Sequence, residues 1–154
     1  MRIRVSKHEV MRRVAMTTAY LAVKSDEPSK NFGTVPVVGA DVEMTDELWR
    51  RSMTELDISM RNQMWGGGYR LPTRHADDDY EVEVPVPGNF DERQREVIRQ
   101  AAAHFLHLSV TAKWLAVAMP ERENQYAAAA QRQLEVLTTA LLFRKRPIKP
   151  HTHY

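Results

Sequence analysis

Two apolar stripes of helical period, separated by a single proline, constrain this chain more than any other feature. Ile98, Ala101, Phe105, Leu108, Ala112, Leu115 and Met119 follow one another at spacings of three and four. Tyr126, Ala130, Leu134, Leu137 and Leu141 do the same after Pro120. Such spacing lines one face of an α-helix, and a face that apolar has to be buried. Proline suits the first turn of a helix, where its missing N–H is not needed. Two long helices, over about 90–119 and 120–144, are therefore expected to fold back on each other as an antiparallel pair. Alanines at 101–103 and 127–130 are small enough to let the two axes approach closely. Asn89, after the Pro87-Gly88 break, is expected to cap the first of the pair.

The remaining segments extend this into a bundle. Residues 2–5 alternate polar and apolar, as a short strand does. Ser6 and Glu9 stand at capping-box spacing before a helix over 7–22, with Val10, Val14, Thr17 or Thr18, and Leu21 on one face. Residues 25–41, with Pro28, Gly33, Pro36 and Gly39, read as a loop. Thr45 is placed to cap a further helix, with Met44 and Trp49 as its hydrophobic staple. Trp49, Met53, Leu56, Met60 and Met64 form its stripe, and Gly66-Gly67-Gly68 ends it. Tyr80, Val82, Val84 and Val86 alternate with Glu81, Glu83 and Pro85, so residues 69–86 read as a β-hairpin with its turn at 75–79. The expected architecture is mainly α: a bundle of about four helices with an inserted β-hairpin. Residues 1–146 form one helical domain, and 147–154 form an extended basic tail.

Length and composition agree with one domain. A chain of 154 residues can bury roughly two-thirds of the surface it exposes when unfolded. It has no cysteine, which excludes disulfides, thiolate metal sites and a cysteine nucleophile. No apolar window is long enough for a membrane span, so no membrane association is expected. The basic start is not followed by a signal-peptide core, and synthesis is expected to end in the cytoplasm.

Charge is unevenly placed. Arg2, Arg4, Lys7, Arg12 and Arg13 cluster at the start, and Arg144, Lys145, Arg146 and Lys149 at the end. Asp77, Asp78 and Asp79, with Glu81 and Glu83, make the middle acidic. Opposed charges of this kind suit complementary surfaces of neighbouring subunits. The C-terminal cluster also suits non-specific contact with DNA phosphates, although Phe143 and Tyr154 are not interleaved as a stacking platform.

Motifs that would carry chemistry are missing or incomplete. His104 and His107 stand three apart on one helix, but no third ligand has matching spacing. His151-Thr152-His153 lies in the expected tail, where nothing would orient the rings. Asp77-Asp78-Asp79 lacks the alternation and glycine of a calcium loop. The triple glycine follows a helix, whereas a phosphate cradle opens one. There is no Gly-x-Ser-x-Gly elbow. The chain is expected to be neither an enzyme nor a cofactor protein.

Three stretches carry a resemblance. Val14-Ala15-Met16-Thr17-Thr18-Ala19-Tyr20-Leu21-Ala22 with Lys24 is similar to the opening helix of small structural proteins of tailed phages and prophages of gut bacteria. Leu141-Leu142-Phe143-Arg144-Lys145-Arg146-Pro147 resembles their end, and Glu47-Leu48-Trp49-Arg50-Arg51-Ser52 suits the same pattern. The order of elements looks like the head–tail connector, or head-completion, class. That resemblance implies a homo-oligomer, a ring between portal and tail proteins around a DNA channel. It also implies localisation in the virion after assembly in the host cytoplasm, with no catalytic residues. The partner-binding residues expected are Arg144, Lys145, Arg146 and Lys149, together with Asp77, Asp78 and Asp79. Removing residues 147–154 is expected to leave thermal unfolding by circular dichroism unchanged and to weaken assembly; normal assembly by the shortened chain would contradict this.

Overall fold

The computed structural model describes residues 1–24, 36–37, 42–63 and 79–145. Its elements, in chain order, are β1 (Arg2–Val5), α1 (Lys7–Lys24), α2 (Val42–Gln63), β2 (Tyr80–Glu83), α3 (Gln94–Ala118) and α4 (Pro120–Leu142). Among the described residues the protein is thus a four-helix bundle with one two-stranded antiparallel sheet. Met64, the glycines at 66–68, Asp77, Asp78, Arg146 and the tail 147–154 lie outside them.

The α3–α4 pair forms as its stripes demand. Met119 alone separates the helices, and Pro120 occupies the first turn of α4. Their contact is the most extensive between the described elements. At the other end Phe90 and Arg144 form an antiparallel bridge, and the Lys145 N–H donates to the Asn89 carbonyl at 2.9 Å. The pair is therefore closed at both ends.

This closure moves the start of α3. Asn89 does not cap it: the Asn89 carbonyl is taken by Lys145, and Phe90 is buried, with its N–H donating to the Pro87 carbonyl. The chain turns through Asp91, whose carboxylate accepts from the Arg93 N–H at 3.0 Å, before the helix begins at Gln94. Thr45 is likewise inside its helix. Its hydroxyl donates to the Val42 carbonyl at 3.0 Å, and Met44 stays exposed, so neither the cap nor the staple forms.

Helix α3 is buried on more than one face. Leu106, Val110, Thr111 and Trp114 are buried alongside the expected stripe, while Leu108 is only partly covered. The reason is its place in the bundle, where it contacts α1, α2, α4 and β1. A helix enclosed on several sides loses the one-sided pattern. By contrast, Trp49, Met53, Leu56 and Met60 of α2, and Ala130, Leu134, Leu137 and Leu141 of α4, are buried as their stripes predict.

Strand β2 coincides with the second arm of the expected hairpin, and its partner among the described residues is β1. The register sets Ile3 opposite Val82 and Val5 opposite Tyr80. Those four side chains are buried, and Arg2, Arg4 and Glu83 point outward. The Tyr80 hydroxyl donates to the buried Asp57 carboxylate of α2 at 3.0 Å, which ties the sheet to the bundle. Residues 69–78, the other arm, are not among those described.

Leu137 is fully buried where α4 meets the core. Leu137→Ala is expected to destabilise the fold by about 2–5 kcal/mol, read from urea unfolding. A loss below about 1 kcal/mol would show that this contact is not tightly packed.

Candidate functional site

Three of the residues expected to bind partners are described, and two of them work mainly inside the fold. Asp79 sits just before β2. Its Oδ1 accepts from the Lys7 N–H at 3.0 Å, and its Oδ2 accepts from Arg4 Nε and Nη2 at 3.1 and 3.0 Å. A carboxylate at the first turn of a helix satisfies a free N–H and complements the dipole. Asp79 therefore knots β1, β2 and α1 together instead of projecting from a tip. Arg144 Nη1 donates to the carbonyls of Leu141 and Phe143 at 2.7 and 3.0 Å, which caps the end of α4. Lys145 holds the bundle through its backbone and leaves its side chain exposed.

The charge contrast along the chain is also largely met within it. Arg2 pairs with Glu81, Arg4 with Asp79 and Lys7 with Asp46; Arg13 pairs with Glu9, one turn earlier on α1. The basic start and the acidic middle thus lie side by side in one copy, because β1 and β2 are neighbours.

The two histidines diverge. His107 turns inward, with its Nε2 3.0 Å from the Thr17 hydroxyl of α1. Burial lowers its pKa, and the nearby charges of Arg13 and His104 add to this. His104 is exposed and lines a cleft of about 340 Å³ between α1 and α3. The cations of that cleft are Arg13 and Arg99. Arg13 is bound to Glu9, and Arg99 to Glu96, whose carboxyl is pushed down to about 2 by the Arg99 and Gln100 hydrogen bonds. Among the described residues no three His, Cys, Asp or Glu side chains are grouped to hold a metal.

A second polar cluster joins α2 to α3. Ser52 and Ser109 hydroxyls are 3.0 Å apart, Lys113 Nζ donates to Ser109 Oγ at 2.7 Å, and it pairs with Glu55 at 2.9 Å. A serine beside a lysine suggests a nucleophile and its base. Here Lys113 Nζ already donates to Ser109 Oγ and pairs with the Glu55 carboxylate. The cluster instead satisfies polar groups across a helix contact and fixes its register.

Among the described residues the bundle also leaves apolar side chains exposed. On α1, Met16, Tyr20 and Val23 are 61%, 62% and 56% exposed at positions i, i+4 and i+7. At the far end, Val97 of α3 and Val136 and Phe143, in α4 and just beyond it, line a shallow groove of about 580 Å³. Arg132 and Glu135 border it. The sequence reading missed both surfaces because it took one stripe per helix. The signal was there: Val136, Ala140 and Phe143 form a second register beside Leu134, Leu137 and Leu141. No helix among the described residues is long and apolar enough to cross a membrane.

No protein-family model, curated protein or solved structure matches this chain.

The inward histidine gives a pH test. Unfolded, His107 takes up a proton near pH 6.5; folded, it does so only at lower pH. The folded state therefore loses stability as pH falls through 6.5, and keeps it above. Between about pH 7.5 and 5.5 the melting temperature of the wild type is expected to fall further than that of His107→Gln. Parallel profiles for the two would show that His107 does not titrate against the fold.

Proposed function

We propose that this chain is a non-catalytic assembly subunit, a virion structural protein of a tailed phage or prophage of the head–tail connector type. The observation that carries the reading is the exposed apolar surface on α1 and at the open end of the α3–α4 hairpin. Exposed apolar patches on an otherwise closed bundle mark places where another chain docks. The resemblance of the opening and closing helices to phage structural proteins supplies the particle. Portal and tail proteins are the partners that this class implies.

The polar chemistry agrees with a scaffold. Buried hydroxyls of Thr18, Ser52 and Ser109 find partners within the fold. Such groups lock helices at one register. Non-specific DNA contact through basic ends is the weaker reading. Arg2, Arg4, Lys7 and Arg13 are already neutralised by carboxylates, and Arg144 caps a helix. At the described basic ends these side chains are therefore less free to displace counterions from DNA.

Mass spectrometry of purified particles from induced host cells tests the proposal. The chain is expected as an integral component that stays with the particle through a density gradient. Particles that form and infect normally without it would overturn the reading.

A further inference from the structure

Helix α1 is buried along one line and open along the line opposite. Val10, Val14, Thr18 and Ala22 are its buried residues. Arg12, Met16, Tyr20 and Lys24 each stand two residues on from these, about 200° round the helix. All four are exposed, with Val23 beside them. The outward line of a surface helix is ordinarily its polar part. Here its middle is Met16, Tyr20 and Val23, about 10 Å of apolar side chain along the axis.

The charges at the two ends of this strip also stand apart from the rest of the helix. Lys7 pairs with Asp46, and Arg13 with Glu9, the one acid of α1. Arg12 and Lys24 have no carboxylate partner among the described residues. Arg12 Nη1 is 3.7 Å from the Met16 sulfur, and Lys24 Nζ is 5.9 Å from the centre of the Tyr20 ring. Both cations thus bend inward over the apolar strip, from roots about 18 Å apart along the helix.

We propose that this outward line of α1 seats an acidic amphipathic helix of a partner protein. The inference rests on the assembly reading above and names the chemistry of one partner segment. A row at i, i+4 and i+7 is a ridge against which a second helix packs. Tyr, Met and Arg are residue types that protein interfaces concentrate. The complement is an apolar row of the same length with a carboxylate one turn beyond each end, to meet the Arg12 guanidinium and the Lys24 ammonium. A lipid surface fits less well. Three part-exposed side chains offer less apolar surface than one myristoyl chain, which alone holds a membrane only marginally. The groove at the open end of the α3–α4 hairpin also fits less well, because Arg132 beside Glu135 leaves it no net negative charge for these cations.

The test uses the purified full chain and a synthetic peptide locked as a helix by a lactam bridge. The peptide carries leucine at i, i+4 and i+7 and glutamate at i−4 and i+11. In an NMR titration it is expected to bind saturably and to shift the Met16 methyl signal. A peptide with lysine in place of both glutamates is expected to bind about tenfold more weakly or worse. The same loss is expected for the glutamate peptide with Tyr20→Gln, and with Arg12→Gln and Lys24→Gln combined. These positions are exposed, so circular dichroism melts are expected to match the wild type. No saturable binding at millimolar peptide, equal affinity for the two peptides, or unchanged affinity in Tyr20→Gln overturns the proposal. Sedimentation with phosphatidylglycerol vesicles that is lost in Tyr20→Gln also overturns it, by giving the strip to lipid. A light-scattering mass above the 17.8 kDa of one chain that is lost in the same variant does so by giving it to a second copy. None of these readouts needs a particle, so a failure here and a failure of the particle reading are told apart.

Discussion

The structure depends on the closure of α3 against α4. A one-residue link at Met119 fixes one end, and the Phe90–Arg144 bridge with the Lys145–Asn89 hydrogen bond fixes the other. Between these clasps, alanines and leucines keep the helices in contact along their length. Most of the other described elements are laid on this hairpin. Helix α1 and strand β1 meet α3, and α2 meets both α3 and α4. A scaffold of this kind holds side chains in place because its core is continuous, not because of any one polar bond.

Polar seams then decide how the outer elements are aligned. Thr18 donates to the Val14 carbonyl and accepts from the Val37 N–H, which docks a short piece of the connecting segment onto α1. Ser52 meets Ser109 between α2 and α3, and Thr17 meets His107 between α1 and α3. Each bond adds only about 1 kcal/mol to stability. An unpaired buried hydroxyl at a shifted register would cost more than that, so the seams select one packing. Asp79 does the same for the sheet through Lys7 and Arg4.

Much of the fold was legible because it is written in local pattern. The described stripe of α2 from Trp49 to Met60, that of α4 from Ala130 to Leu141, the Ser6 cap and the alternation of β1 and β2 appear as read. The Ser6 hydroxyl takes the Glu9 N–H, although the Glu9 carboxylate turns to Arg13 instead of back to Ser6. What was not legible depends on partners distant in sequence. Nothing near residue 80 says that its strand will pair with residue 5, and nothing near Asn89 says that Lys145 will claim its carbonyl. The site suffered most from this. Asp79 and Arg144 look free in sequence, and only the fold shows what each one caps. The exposed strip on α1 was hidden for the opposite reason, since Met16, Tyr20 and Val23 read as ordinary residues on a helix that already had a buried face.

The pairing of β1 with β2 has a consequence for the newborn chain. Arg4 and Asp79 are 75 positions apart. At about 5–20 residues per second, the first strand therefore waits on the order of ten seconds for its mate to leave the ribosome. During that time Ile3 and Val5 belong to an open edge of the kind that sticks to other chains. Arg2 and Arg4 alternate with them, so the same guanidinium groups that later bind Glu81 and Asp79 act first as guards against aggregation.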